Sequence, residues 1–264
     1  MLSEIERIRY DAVCMTMKDI IKNWRTSGSA WKRFLYHSAK RLWLCFCVVI
    51  KAEQRSSFLT KIRFGKTYYQ RATFTVPSRY PLLFQVCADY LALTEQPKIM
   101  SFGCSTGEEV FSIGQYLPHA TIVGVDINRW CLKQCRKKND NPNYSFVHRF
   151  SKEFEGSTDF DAIFCLAVFQ RTENRTNQDN SKASGFMFEE FESEITMLDK
   201  KLRRGGLLII DHADFSFEET GVAKKYQPLK SFGRNEMHRN RPLFDRENRK
   251  IAEEHDSYRV FVKC

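Results

Sequence analysis

Two glycines, two glutamates and an aspartate hold the most chemistry in this sequence. Gly103 and Gly107 bracket the loop inside "KIMSFGCSTGEEVFSIGQYL" (98–117), Glu108 and Glu109 follow at once, and Asp126 ends the next apolar run, 19 residues beyond Gly107. Glycine lets a ligand approach the backbone closely, and N–H groups that open a helix can donate to it. An aspartate at the end of the following strand can accept both hydroxyls of a ribose. Together they point to a ligand that contains adenosine. The loop is not GxGxxG, and the two glutamates sit where a dinucleotide places its pyrophosphate, which they would repel. S-adenosylmethionine has no phosphate and carries a sulfonium and an ammonium, so it suits them. The glutamates also read as capping. Thr106 and Glu109 fit the T-x-x-E capping box, and acids favour a helix N-terminus. The two roles can coexist, since a cap fixes the loop that holds the ligand.

These residues need a strand–loop–helix–strand frame, and the pattern after residue 97 supplies it. "KIMSF", "ATIVGVDI", "YSFVHRF", "FDAIFCLAVF" and "GLLIID" read as strands. "GEEVFSIGQYL" and "RWCLKQCRKKN" read as helices between them. "FMFEEFESEITMLDKKLRR" reads as a long helix stopped by Gly205 and Gly206. "RPLFDRENRKIA" and "DSYRVFVKC" read as strand pieces around a turn. Such alternation gives an α/β fold, with a mostly parallel sheet and helices on both faces. Upstream, residues 4–25, 30–50 and 82–93 read as helices, while residues 51–80 are mixed and end in two prolines. We therefore expect a basic, mostly helical N-terminal segment or lid over residues 1–95 and a ligand-binding domain over 96–264. The polar stretch 171–185 reads as a loop, placed where loops often carry function.

Charge is uneven. Residues 1–95 hold 16 Lys/Arg against 7 Asp/Glu, so nearly all of the net +10 lies there. A basic segment can attract nucleic acid, acidic protein or anionic lipid, or present a solvated helical face. The longest apolar run, "LWLCFCVVI" (42–50), is far short of the roughly 20 residues that span a bilayer. The charged start has no signal-peptide character. Nine cysteines without CxxC spacing or a nearby His predict no metal site and a reducing, cytoplasmic compartment.

The loop "GCSTGEEVFSI" resembles the motif of class I S-adenosylmethionine-dependent methyltransferases. It is most similar to the chemoreceptor glutamate (CheR-type) methyltransferases, whose loop carries S-T-G-E-E-P-Y-S. "TFTVPSRYPLLFQVCADYL" is similar to that family's T-x-F-F-R element, "FDAIFCLAVF" to its F-D-x-I-F-C-R-N-V strand, and "LRRGGLLIIDHAD" to its fifth strand. The resemblance covers roughly residues 70–215. It implies a Rossmann-like, seven-stranded class I fold, S-adenosylmethionine as cofactor and methyl transfer as activity. It also implies a cofactor site made of Gly103, Cys104, Ser105, Thr106, Gly107 and Glu109. Asp126 and Ile127 join it from the second strand, Leu166 and Ala167 from the fourth, and Arg79 at the cofactor carboxylate. The chain departs from the family at four places. Leu166 and Ala167 replace its Arg-Asn. Ser101 stands where the broader class has an acid two before the first glycine. Ser105 replaces the middle glycine, and the third strand ends near Ser151 without an acid.

Methyl transfer is an in-line displacement, so the enzyme chiefly aligns nucleophile, methyl and sulfur, and needs a base only for a protonated nucleophile. Gln170, Arg171, Asp211, His212 and Asp214 follow the fourth and fifth strands. His212, with Asp211 beside it, is the candidate catalytic base because its unperturbed pKa lies near 6.5. The fourth strand lacks the D/N/S-P-P-aromatic signature of amino methylation, and Cys165 lacks the preceding proline of a cytosine C5 nucleophile. The remaining acceptors are oxygens or amines of small molecules or proteins. A binding module that lost turnover and a basic RNA-binding methyltransferase are the alternatives.

Overall fold

The computed structural model describes residues 24, 27–68, 73, 75–170, 186–231, 243–252 and 258–264. The helix expected over 4–25 and the loop at 171–185 lie outside them, apart from Trp24. The chain divides into two compact units, residues 1–58 and 59–264. The first holds helix α1 (Ala30–Ile50) and most of α2 (Ala52–Phe64). The break falls well before residue 95, because the chain from Leu59 onward belongs with the sheet. Helix α3 (Pro81–Tyr90) shows why. Proline at its first position suits a helix start, and the helix buries Leu83, Phe84 and Cys87 against the sheet.

The sheet is built from β1 (Lys98–Phe102), β2 (Thr121–Asp126), β3 (Tyr144–His148), β4 (Phe160–Leu166), β5 (Leu202–Asp211), β6 (Tyr226–Ser231) and β9 (Tyr258–Lys263), in the order β3-β2-β1-β4-β5-β9-β6. The first five strands are parallel, and β9 runs antiparallel between β5 and β6. A small hairpin, β7 (Leu243–Phe244) with β8 (Lys250–Ala252), forms a second sheet, and its Phe244 packs into the main core. This is the Rossmann-like class I arrangement. The order reverses between β1 and β4, and ligands bind beyond the carboxyl ends of strands at such a point.

Strand β4 is buried along its whole length, and its alternation feeds two cores. Phe160, Ile163 and Cys165 face a phenylalanine-rich layer under helix α7 (Phe188–Asp199). Ala162, Phe164 and Leu166 face the layer under α3 and helix α4 (Glu108–Tyr116). Helix α5 (Arg129–Lys138) starts on Asn128, whose side chain accepts from Trp130 N at 3.0 Å, and ends in Arg136, Lys137 and Lys138, which suit the negative helix terminus.

Several expectations change. Gly205 and Gly206 do not stop the long helix. It ends at Asp199, and both glycines lie inside β5, where the register jumps from Phe160↔Leu202 to Ala162↔Leu207. Gly205, at φ +73°, absorbs that bulge. The mixed region 51–80 contains a regular helix, α2, and "DSYRVFVKC" joins the main sheet while "RPLFDRENRKIA" contributes only the small hairpin. Strand β6, which contains a proline, and the short helix α6 (Lys152–Gly156) carried no legible signal.

Candidate functional site

The carboxyl ends of β1, β2 and β4 open into a cavity of about 340 Å3. Its floor is the loop after β1. Gly103 N and Cys104 N both donate to Val125 O, at 2.7 and 2.9 Å, which draws the loop over the end of β2. Gly103 has φ +81°, and a Cβ there would lie 2.4 Å from Val168 Cγ2, so backbone rather than side chain faces the space. Gly107, at φ +96°, turns the chain into α4.

That turn does not form the expected capping box. Gly107 precedes the helix, so Glu109 is its second residue rather than its third, and no side chain caps the end. Thr106 Oγ1 instead donates to Glu108 Oε2 at 2.6 Å, and Lys138 Nζ reaches Glu108 Oε1 at 2.6 Å. Burial raises the Glu108 pKa, but Lys138 and Thr106 outweigh it and hold the carboxyl below its usual range. Thr106 and Glu108 are not among the residues that line the cavity.

Glu109 does line it. Ser101 Oγ donates to its Oε1 at 2.8 Å, and burial pushes its pKa up to about 8 against the pull of Ser101 and Arg79. Asp126 faces the same space. Ser105 N donates to its Oδ2 at 2.8 Å and Asn128 N to its Oδ1 at 2.7 Å, yet burial still pushes its pKa up to about 6. A carboxylate can accept about four hydrogen bonds, so lone pairs remain for a ligand. Two half-buried carboxyls lining one cavity disfavour phosphate and favour hydroxyls and a cation.

Cys104, Ser105, Ile127, Leu166, Ala167 and Arg79 also line the cavity, so of the expected cofactor residues only Thr106 and Gly107 do not. Ala167 has φ +58°, and its N–H donates to Asp211 O at 2.9 Å. Thr67, Tyr68, Thr73, Thr75, Val76 and Tyr80 add further lining from the chain before α3. Ser105 Oγ donates to Thr73 O at 2.8 Å, Ser78 N donates to Ser112 Oγ at 2.9 Å, and Phe64 stacks on Phe150 with ring centroids 4.8 Å apart.

The candidate catalytic pair stands elsewhere. Asp211 is buried, its Oδ1 accepts from Arg259 Nη1, and its Oδ2 lies 3.3 Å from His212 Nδ1. Neither Asp211, His212 nor Asp214 lines the cavity. The His212 ring packs edge-on against Tyr80, which does line it, at 6.0 Å between centroids. His212, the first residue past β5, has φ +57°. Gln170 does line it, while Arg171 lies outside the described residues.

Sequence reasoning missed Arg149 and Glu194. Arg149 Nη2 donates to Glu194 Oε2 at 3.0 Å, and its guanidinium sits 4.7 Å from the Phe154 ring centroid and 5.1 Å from that of Phe150. Both residues line the cavity. Burial raises the Glu194 pKa despite Arg149. The only available signal was a charged residue on the inner side of an apolar helix, in "FMFEEFESEI". Among the described residues no cluster of His, Cys, Asp and Glu has the makings of a metal site.

Residues 99–181 match a family model described as a methyltransferase domain. No curated protein matches the chain. Among solved structures, the plantazolicin methyltransferase BpumL in complex with SAH is 17% identical at a TM-score of 0.36, over 63% of this chain and 56% of its own. PKMT2 from Rickettsia typhi is 19% identical at 0.36, over 52% of this chain and 26% of its own. The O-methyltransferase region of StiE is 16% identical at 0.40, over 57% and 53%. This chain thus spans little more than half of the first of these. The match takes in the strand–loop–helix–strand unit that carries Gly103, Glu109 and Asp126, and the cofactor of the matched family is S-adenosylmethionine.

Proposed function

We propose that this chain transfers the methyl group of S-adenosylmethionine to an oxygen or nitrogen acceptor on a small molecule or a protein carboxylate. The observation that supports it is the pair of half-buried carboxyls, Glu109 and Asp126, facing one cavity without a phosphate-binding loop. When bound, S-adenosylmethionine supplies an electrophilic methyl on a sulfonium. Asp126 is placed to accept from the ribose hydroxyls, Glu109 to balance the ammonium, and Arg79 to meet the carboxylate. Gly103 and Ser105 leave the loop backbone open to the ligand. The work left to the protein is alignment and exclusion of water, which Tyr68, Val76, Tyr80 and Phe150 serve. Gln170, Tyr68, Tyr80 and the Arg149–Glu194 pair are the polar groups that an acceptor meets. Asp211 and His212 act as positioning residues in this reading, since they back the Tyr80 ring.

One observation favours a second reading, a binding module with reduced turnover. The apolar pair Leu166 and Ala167 replaces polar residues beside the cofactor and offers no side-chain hydrogen bond. The test is calorimetry with S-adenosylhomocysteine. Asp126→Ala is expected to weaken binding by about 1–3 kcal/mol, because ribose hydroxyls lose their buried acceptor. Unchanged affinity refutes the assignment of the cavity. Turnover of S-adenosylmethionine with a library of carboxylates, phenols and amines separates the two readings.

A further inference from the structure

Helix α1 carries two features that the methyl-transfer site does not use. Trp31, Phe34 and Leu42 are exposed by 67%, 60% and 73%. At about 100° per residue they fall within about 80° of one another on one face. The Trp31 and Phe34 rings stack at 5.8 Å, so the exposed pair is already ordered. Charge is the second feature. Between Asp19 and Glu53 the sequence has seven Lys/Arg and no acid. On α1, Arg33 and Lys40 lie opposite the apolar face, and Lys32 and Arg41 flank it. Arg33 Nη1 also donates to Ser27 O at 2.8 Å, which ties down the helix start.

We propose that α1 lies on an anionic lipid surface, with Trp31, Phe34 and Leu42 entering the interfacial layer and Lys32 and Arg41 meeting the headgroups. A polyanion such as RNA rewards the basic residues but gives no reason to keep three large apolar side chains together in water. A lipid interface rewards both, since tryptophan favours the headgroup layer and basic residues favour anionic lipid. The run 42–50 extends the apolar character with no charge until Lys51. Among the described residues no helix is long and apolar enough to cross a membrane, so the helix suits the interface rather than the span. The proposal concerns the first compact unit and does not depend on the methyltransferase reading.

The test uses the full chain and sedimented vesicles of phosphatidylcholine, with and without phosphatidylserine. Binding is expected with phosphatidylserine and is expected to weaken with salt. The double variant W31S/F34S is expected to lower partitioning at least tenfold, given the apolar area lost. The double variant K32E/R41E is expected to lower it on anionic vesicles alone. Both pairs are on the surface, and an unchanged thermal midpoint shows that the variants fold. Absence of binding to anionic vesicles overturns the proposal. So does retention of binding by W31S/F34S when K32E/R41E abolishes it, which identifies a purely electrostatic partner such as RNA.

Discussion

Replacing Glu109 by Gln removes one ionisable group from the cofactor cavity with little change of shape, and its effect follows from the burial of that carboxyl. With a pKa near 8, wild-type Glu109 is protonated about ten to one at pH 7 and about a hundred to one at pH 6. A cationic ligand prefers the ionised form. Below pH 7, apparent affinity for S-adenosylmethionine should therefore rise about tenfold per pH unit, or about 1.4 kcal/mol, and flatten as the pH passes 8. Binding at pH 7 should release about 0.9 proton, as the same ratio requires. The assay is calorimetry at about pH 6 and about pH 7 in buffers of different ionisation enthalpy. Glu109→Gln should lose most of this slope and most of the proton release at pH 7, leaving the smaller part that Asp126 contributes near pH 6. Ser101→Ala removes the donor that stabilises the ionised form and should steepen the dependence near pH 8. Equal slopes in wild type and Glu109→Gln, or no proton release in wild type, refute the placement of Glu109 against the ammonium. Stability without ligand has the opposite sign to cofactor affinity. The folded state holds the Glu109 proton more tightly than the unfolded chain, so its stabilisation is present below pH 4.5 and is lost as the pH rises through about 8. Asp126 contributes in the same direction between 3.8 and about 6.

Two further substitutions probe the walls of the cavity. Gly103→Ala places a Cβ 2.4 Å from Val168 Cγ2 at φ +81°, and should cost about 1–3 kcal/mol in urea unfolding together with loss of cofactor binding. Glu194→Ala leaves Arg149 largely buried without its carboxylate and should destabilise by about 3 kcal/mol in the same assay, with Glu194→Gln recovering part of the loss through its amide oxygen.

The parts of this fold that could be read from sequence are those fixed by local pattern. β1, β2, β4 and their helices stand where apolar runs and glycines put them, and Gly103 and Asp126 meet because a βαβ unit brings consecutive strand ends together. What sequence did not show depends on contacts between distant segments. Arg149 and Glu194 are 45 residues apart, and neither has a local signature of pairing. β6 breaks the strand pattern with a proline, yet its edge position beside β9 tolerates one. His212 read as catalytic because of its residue type. Its left-handed backbone and its edge-on contact with Tyr80 are tertiary features that nothing in the sequence marks. The capping box failed by one residue, since Gly107 at φ +96° shifts the helix start past Thr106.

Ser101 and Glu109 are best understood together. The broader class places an acid two residues before the first glycine, on the strand itself, and here that position is a serine. Ser101 is fully buried, and its hydroxyl is spent on Glu109 Oε1 at 2.8 Å. A carboxylate thus reaches the end of β1 from the helix rather than from the strand, and the serine orients it. If the two positions supply one carboxylate between them, the exchange should be reciprocal. Ser101→Asp alone would put two acids in contact and raise the pKa of one further. Ser101→Asp combined with Glu109→Ser would return the acid to the strand and keep the hydrogen bond. Cofactor affinity should fall in either single exchange and recover in the double one, which a double-mutant cycle measures as a coupling energy. Additive losses would show that Glu109 and Ser101 serve the cavity independently.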